Sequence, residues 1–189
     1  MTDTPPDSDI VAMKRLADGD DLALNEIMDR WRDKVAAFLQ RMTGDAATAE
    51  DLAQETFVRL YQSCGSYSPK AAFATYLFRI AANLARNHQR WRSRHPTVSI
   101  EDGLGALRDW PGGGAAPDEQ AESTDSLRQV EAAVAALPSE LREAILLFTY
   151  EDMSYAQIAA ALRCSEKAVE TRIYRARQML KGLLKELDG

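Results

Sequence analysis

Ser154-Tyr-Ala-Gln-Ile-Ala-Ala-Ala-Leu162, then Arg163-Cys164-Ser165, then Glu166-Lys-Ala-Val-Glu-Thr-Arg-Ile-Tyr-Arg-Ala-Arg177 read as a short helix, a tight turn and a longer helix. Ser154 with Gln157 three positions on has capping-box spacing, in which each side chain satisfies a backbone N–H that the first turn leaves free. Ser165 can cap the second helix, whose apolar stripe is Val169, Ile173, Ala176, Leu180, Leu184 and Leu187. Ala159 and Ala160 are small enough to let the two helices approach closely, and Arg172 and Arg175 fall off the stripe. Two arrangements share this outline: a helix-turn-helix that offers its second helix to DNA, and an αα-hairpin inside a bundle.

Upstream, Leu127, Val130, Val134 and Leu137 form a helical stripe closed by Pro138, and Ser139 restarts the chain with Leu141, Ile145 and Phe148. Residues 126–189 are therefore expected to form one small helical domain. Between Arg94 and Asp125 the periodicity collapses into five glycines and three prolines, including Pro111-Gly-Gly-Gly-Ala-Ala-Pro117. Residues 95–125 read as a flexible linker with a reach of about 105 Å when extended. Before it, Leu24, Ile27, Met28, Trp31, Val35, Phe38, Leu39 and Met42 trace a helix capped by Asp20 or Asp21 and ended by Gly44. A second helix is expected from Thr48, with Leu52, Phe57, Leu60 and Tyr61, and a third over about 71–91 on Phe73, Leu77, Ile80, Ala81 and Leu84. These make a first domain over 10–94, preceded by a disordered polar tail over 1–9.

Composition agrees with a wholly helical chain. Among 189 residues there are 30 alanines and 20 leucines against 14 valines and isoleucines, the residues that strands prefer. The longest apolar run, Ala132 to Leu137, is six residues, far short of a membrane span. Asp3, Asp7 and Asp9 stand where a secretory signal would carry basic and apolar regions, so a cytoplasmic protein without membrane insertion is expected. Cys64 and Cys164 have no metal-ligand or disulfide spacing, and His88 and His95 have no nucleophile partner. No metal, cofactor or catalytic site is expected.

The net charge of −6 conceals an uneven distribution. Between Glu55 and Glu101 there is no carboxylate, while Arg59, Lys70, Arg79, Arg86, Arg90, Arg92 and Arg94 are basic. After Glu170, Arg172, Arg175, Arg177, Lys181 and Lys185 precede the next acid, Glu186. The compensating carboxylates crowd the linker, where seven acids face two bases over residues 94–125. One basic run alone is commonly a solvated helix face; two acid-free runs point to two contacts with phosphate backbones. Phe73, Tyr76, Phe78 and Trp91 among the arginines suit single-stranded DNA, where cations follow phosphates and rings stack on bases, although Phe73 and Phe78 also fit a core.

The segment Asp51-Leu-Ala-Gln-Glu-Thr-Phe-Val-Arg-Leu-Tyr61, with Phe73-Ala-Thr-Tyr-Leu-Phe-Arg-Ile-Ala-Ala-Asn-Leu-Ala-Arg-Asn87, resembles domain 2 of bacterial RNA polymerase sigma factors. Leu137-Pro-Ser-Glu-Leu-Arg-Glu-Ala-Ile-Leu-Leu147 and the helix-turn-helix segment resemble sigma domain 4. Two domains and no more resemble the extracytoplasmic-function (ECF) type. The resemblance implies a subunit that binds the largest subunits of core RNA polymerase, recognises a promoter and promotes its opening, with an anti-sigma factor as a further partner. It implies polymerase binding by Asp51, Gln54, Glu55 and Arg59, whose charged members share one face at i, i+4 spacing and equally suit an intrahelical ladder. It implies minus-10 binding by Tyr76, Arg79, Asn83, Arg86, Asn87 and Arg90, the amides reading an unstacked base edge. It implies minus-35 binding by Ser165, Lys167, Thr171, Arg172, Arg175 and Arg177. Tyr76 stands where the family often has Trp, and Lys167-Ala168-Val169 replaces its usual Gly-Thr-Val, which bears on sequence preference rather than fold. It implies also that the acidic linker threads near the polymerase active centre. A helix-turn-helix regulator acting without core polymerase is the alternative, and it leaves the acid-free aromatic segment without purpose.

Overall fold

A computed structural model describes residues 6–69, 71–95 and 128–187, and every regular element among them is a helix. The N-terminal half holds α1 (Pro6–Ala17), α2 (Leu22–Thr43), α3 (Ala46–Gln62), a single 3-10 turn (Cys64–Ser66) and α4 (Phe73–Arg94). The C-terminal half holds α5 (residues 128–136), α6 (Ser139–Tyr150), α7 (Tyr155–Leu162) and α8 (Glu166–Leu187). The linker assigned to 95–125 lies, except for His95, outside the described residues.

Local signals explain most helix ends. Gly44 closes α2 at φ 75°, a left-handed conformation that costs glycine little, and its N–H donates to the Gln40 carbonyl. Ser154 and Gln157 form the expected capping box on α7. Asp20 rather than Asp21 uses its side chain at the start of α2, accepting from the Leu22 N–H at 3.1 Å. The start of α3 differs from the reading at Thr48. Asp45 is the N-cap, and its carboxylate accepts from the Thr48 N–H at 2.8 Å, so the threonine lies already inside the first turn.

Of the tail expected over 1–9, residues 6–9 are instead helical, because α1 begins at Pro6, and residues 1–5 lie outside the described residues. Proline suits a first helical position, where its missing N–H would have had no partner. Ala12, Met13 and Leu16 are buried on one side of α1, and Asp9 is buried with them. Arg30 Nε donates to the Asp9 carboxylate at 2.8 Å and Trp31 Nε1 donates at 3.1 Å. An acid on the inward face breaks the apolar stripe, and its two α2 partners are what make that burial tolerable.

Phe38, Phe78, Leu39, Met42, Leu60 and Leu77 are fully buried between α2, α3 and α4. Phe38 and Phe78 meet edge to face with centroids 5.4 Å apart, so Phe78 belongs to the core, as does Phe73, whose ring lies 5.7 Å from that of Trp31. Leu146, Leu147, Ile158, Val169 and Ile173 fill the second half. The halves are in contact: α7 packs on α4, and α6 packs on α2. Their buried apolar side chains form one continuous cluster.

Candidate nucleic-acid interface

On α4, Tyr76, Arg79, Asn83, Arg86, Asn87 and Arg90 recur at three- and four-residue steps, which aligns them along one side while Phe73, Leu77, Phe78 and Leu84 face the core. The Tyr76 hydroxyl lies 2.6 Å from Ser63 Oγ, and its ring meets the Tyr67 ring edge to face at 5.0 Å. The Arg79 guanidinium lies 5.0 Å from the Tyr76 ring centroid. Arg86 Nη2 donates to Asn83 Oδ1, whereas Asn87 and Arg90 are exposed. Trp91 is 54% exposed at the end of the helix, stacked on His95 with centroids 5.2 Å apart.

Beside this row lies a cleft of about 260 Å³ bounded by Tyr67, Thr75, Tyr76 and Arg79 from the N-terminal half and by Ala160 from α7. The Tyr67 hydroxyl and Thr75 Oγ1 are both buried without a hydrogen-bond partner. Burial, with Asp9 adding to it, pushes the Tyr67 phenol above its ordinary range. Sequence reading missed both residues. Thr75 looks like an ordinary helix residue, and Tyr67 sits in the Gly- and Ser-containing connection before α4, where no periodicity marks it.

Asp51 and Gln54 are exposed on α3. Arg59 Nε donates to Glu55 Oε1 at 2.7 Å, so the intrahelical pair exists, and both side chains keep over two-fifths of their surface in water. Glu55 and Arg59 also line a groove of about 450 Å³ together with Ile80 and Asn83 of α4. One groove thus joins residues expected at the polymerase with one expected at DNA.

In the C-terminal half, Ser165 Oγ accepts from the Ala168 N–H at 3.2 Å and starts α8. Arg163 takes a left-handed conformation at φ 56° and ends α7, which makes the turn tight. Lys167 is exposed and pairs with Glu170 at 2.8 Å, Thr171 Oγ1 donates to the Lys167 carbonyl at 2.9 Å, and Arg175 is exposed. Arg177 lies over the Phe148 ring at 5.1 Å. Arg172 alone turns inward, to Glu140 at 3.0 Å and Glu143 at 3.5 Å.

Glu143 is buried, and burial pushes its carboxyl up to about 7 although Arg86 and Arg172 pull it down. Burial likewise lifts Glu151 to about 7 against the pull of Lys34 and Arg41 on α2. Among the described residues no group of histidine, cysteine and carboxylate side chains is placed to hold a metal ion, and no helix is long and apolar enough to cross a membrane.

A helix-turn-helix and a basic, amide-bearing helix face carried on two helical halves define a two-domain DNA-binding protein. Comparison with known proteins sharpens the class. Residues 27–95 match the model of sigma-70 region 2, and residues 127–180 match that of sigma-70 region 4. The chain is 33% identical to the RNA polymerase sigma-H factor of Pseudomonas aeruginosa, covering 93% of each chain. It is 32% identical to the ECF RNA polymerase sigma-E factor of Escherichia coli, covering 95% of this chain and 96% of that one. Among solved structures, CnrH in complex with the cytosolic domain of CnrY superposes with a TM-score of 0.71 at 26% identity, over 95% of this chain and 99% of the other. The sigma factor RpoE in complex with the anti-sigma factor NepR from Bartonella quintana gives 0.69 at 25% identity, over 85% and 96%. The chain belongs to the ECF-type RNA polymerase sigma factors, alternative subunits that direct the polymerase to promoters.

Proposed function

We propose that the two halves act as separate contacts of one initiation factor, with residues 10–94 serving core polymerase and the minus-10 element and residues 126–189 serving the minus-35 element. The row of amides and arginines along α4, backed by a rigid aromatic core and free of carboxylates, is the observation that carries this reading. Asn83 and Asn87 offer both donors and acceptors to the edge of an unstacked base, while Arg79, Arg86 and Arg90 follow the phosphates. The buried, unpartnered hydroxyls of Tyr67 and Thr75 add donors at the neighbouring cleft. Ser165, Lys167 and Thr171 near the start of α8 face base edges of a major groove, with Arg172, Arg175 and Arg177 on phosphates or guanine.

On α3, Asp51, Gln54, Glu55 and Arg59 form a charged stripe suited to pairing across a protein interface. The chain works in the cytoplasm and supplies no chemistry; the polymerase forms the phosphodiester bonds. That CnrH and the Bartonella sigma factor were solved with CnrY and NepR supports an inhibitory protein partner for this chain also. Run-off transcription with core polymerase tests the whole reading: promoter-specific transcripts are expected only when this protein is added, and equal transcription without it would refute the assignment.

A further inference from the structure

At the head of α8, Lys167, Glu170 and Tyr174 follow one another at steps of three and four residues, with Thr171 between them, on the side away from the buried Val169, Ile173 and Ala176. Lys167, Glu170 and Tyr174 are exposed there. Lys167 Nζ donates to Glu170 Oε2 at 2.8 Å, and Thr171 Oγ1 donates to the Lys167 carbonyl at 2.9 Å. The threonine proton is thus committed to its own helix, and the lysine offers donors only, so the carboxylate is the strong acceptor on this face. Its Oε1 accepts from none of the described residues. An ion pair this exposed adds little to stability, so holding the fold does not account for it. Glu170 is also the last acid before Arg172, Arg175, Arg177, Lys181 and Lys185, the run assigned to phosphates in its first three members.

A carboxylate carried into a DNA groove is repelled by the phosphates unless a cation travels with it, and Lys167 is that cation. The base edges of the major groove then decide what the carboxylate tolerates. Cytosine presents an amino donor at N4, whereas guanine presents the N7 and O6 acceptors, thymine the O4 acceptor, and adenine its N6 donor beside an N7 acceptor. A group that can only accept favours cytosine over the other three. Building on the minus-35 reading of α8, we infer that Glu170 is a specificity-determining residue that accepts from the amino group of a cytosine at one minus-35 position. Oε1 takes that hydrogen bond, while Lys167 fixes the carboxylate through Oε2 and screens it from the phosphates. Glu170 acts by choice of base rather than by affinity, since the same charge that attracts one base edge repels the rest.

The test offers holoenzyme, assembled from core polymerase and the full chain, a pool of promoter duplexes randomised across the minus-35 and minus-10 elements, and sequences the bound fraction. The wild type should enrich a C·G pair at one minus-35 position. Glu170→Ala should lower that enrichment about five-fold or more and keep the minus-10 preference, which shows the variant to be folded and assembled. Glu170→Gln, whose amide can pair with adenine N6 and N7, should move the choice at the same position from C to A. Lys167→Met should also reduce the C·G enrichment. Three results overturn the inference while leaving the minus-35 contact of α8 in place: a wild-type minus-35 preference without C·G at any position, an unaltered preference in Glu170→Ala, or a gain of affinity in that variant shared by all sequences with no change at a single position. A wild-type pool with no minus-35 enrichment removes that contact, and the inference with it.

Discussion

Asp9 brings a carboxylate to a position only 6% exposed, where Arg30 and Trp31 of α2 both donate to it. Asp9→Ala should therefore cost about 2 kcal/mol, the scale of hydrogen bonds to a charged group, because Arg30 and the indole N–H lose their acceptor. Urea unfolding followed by circular dichroism reads this directly, and an unchanged midpoint would mean that the Asp9 contacts add nothing to stability. Asn83 is a different case, partly exposed and bonded only within its own helix, to Arg86. Asn83→Ala should leave stability nearly unaltered but relax discrimination at one minus-10 position by roughly 1 to 3 kcal/mol. Permanganate footprinting on single-base promoter variants is the measurement; a mutant with the wild-type order of preference removes Asn83 from base reading.

At the scale of elements, α3 and α8 each present one charged face outward while the other face holds the core. Asp51→Arg with Glu55→Arg reverses the α3 face without touching Ala53, Phe57 or Leu60, which are buried. Core polymerase affinity should fall while the helical circular dichroism signal and melting temperature stay; undiminished capture of core polymerase in a pull-down would move the interface elsewhere. On α8, Arg175 is exposed and Arg172 is engaged by Glu140 and Glu143, so Arg175 gives the cleaner test of phosphate contact. Arg175→Ala should weaken minus-35 duplex binding and reduce the slope of log affinity against log salt by about one unit. An identical slope would leave this arginine in solvent.

For the whole molecule, Glu143 lies buried and Glu151 half-buried where the two halves meet. Glu143 faces Arg86 of α4 and Arg172 of α8 with Glu140 nearby on its own helix, and Glu151 faces Lys34 and Arg41 of α2 beside Asp152. Both are lifted from 4.5 to about 7. The folded chain thus binds more protons than the unfolded one between those values, so its stability rises as pH falls below about 7 and does not depend on these two groups above it. The urea midpoint should rise from pH 8 to pH 6 in the wild type, and the rise should shrink in Glu143→Gln. A rise of undiminished size in that variant would assign the pH response to other groups.

Helix positions and the basic row were legible because their causes are local. Apolar spacing, Gly44, Ser154 with Gln157, and the carboxylate-free run around α4 act within a turn or two of the chain. The missed features need residues far apart. Helix α1 was hidden because Asp9 breaks its stripe, and only the α2 partners 21 and 22 residues away make its burial affordable. The contact of Arg86 with Glu143 spans 57 positions, and the cleft at Tyr67 and Thr75 is completed by Ala160. Local spacing and composition were enough to dictate an all-helical chain with two charged faces. Which of those charges point to solvent and which are spent on each other was decided only by tertiary packing, since burial and pairing depend on neighbours in space, and no periodicity along the chain records them.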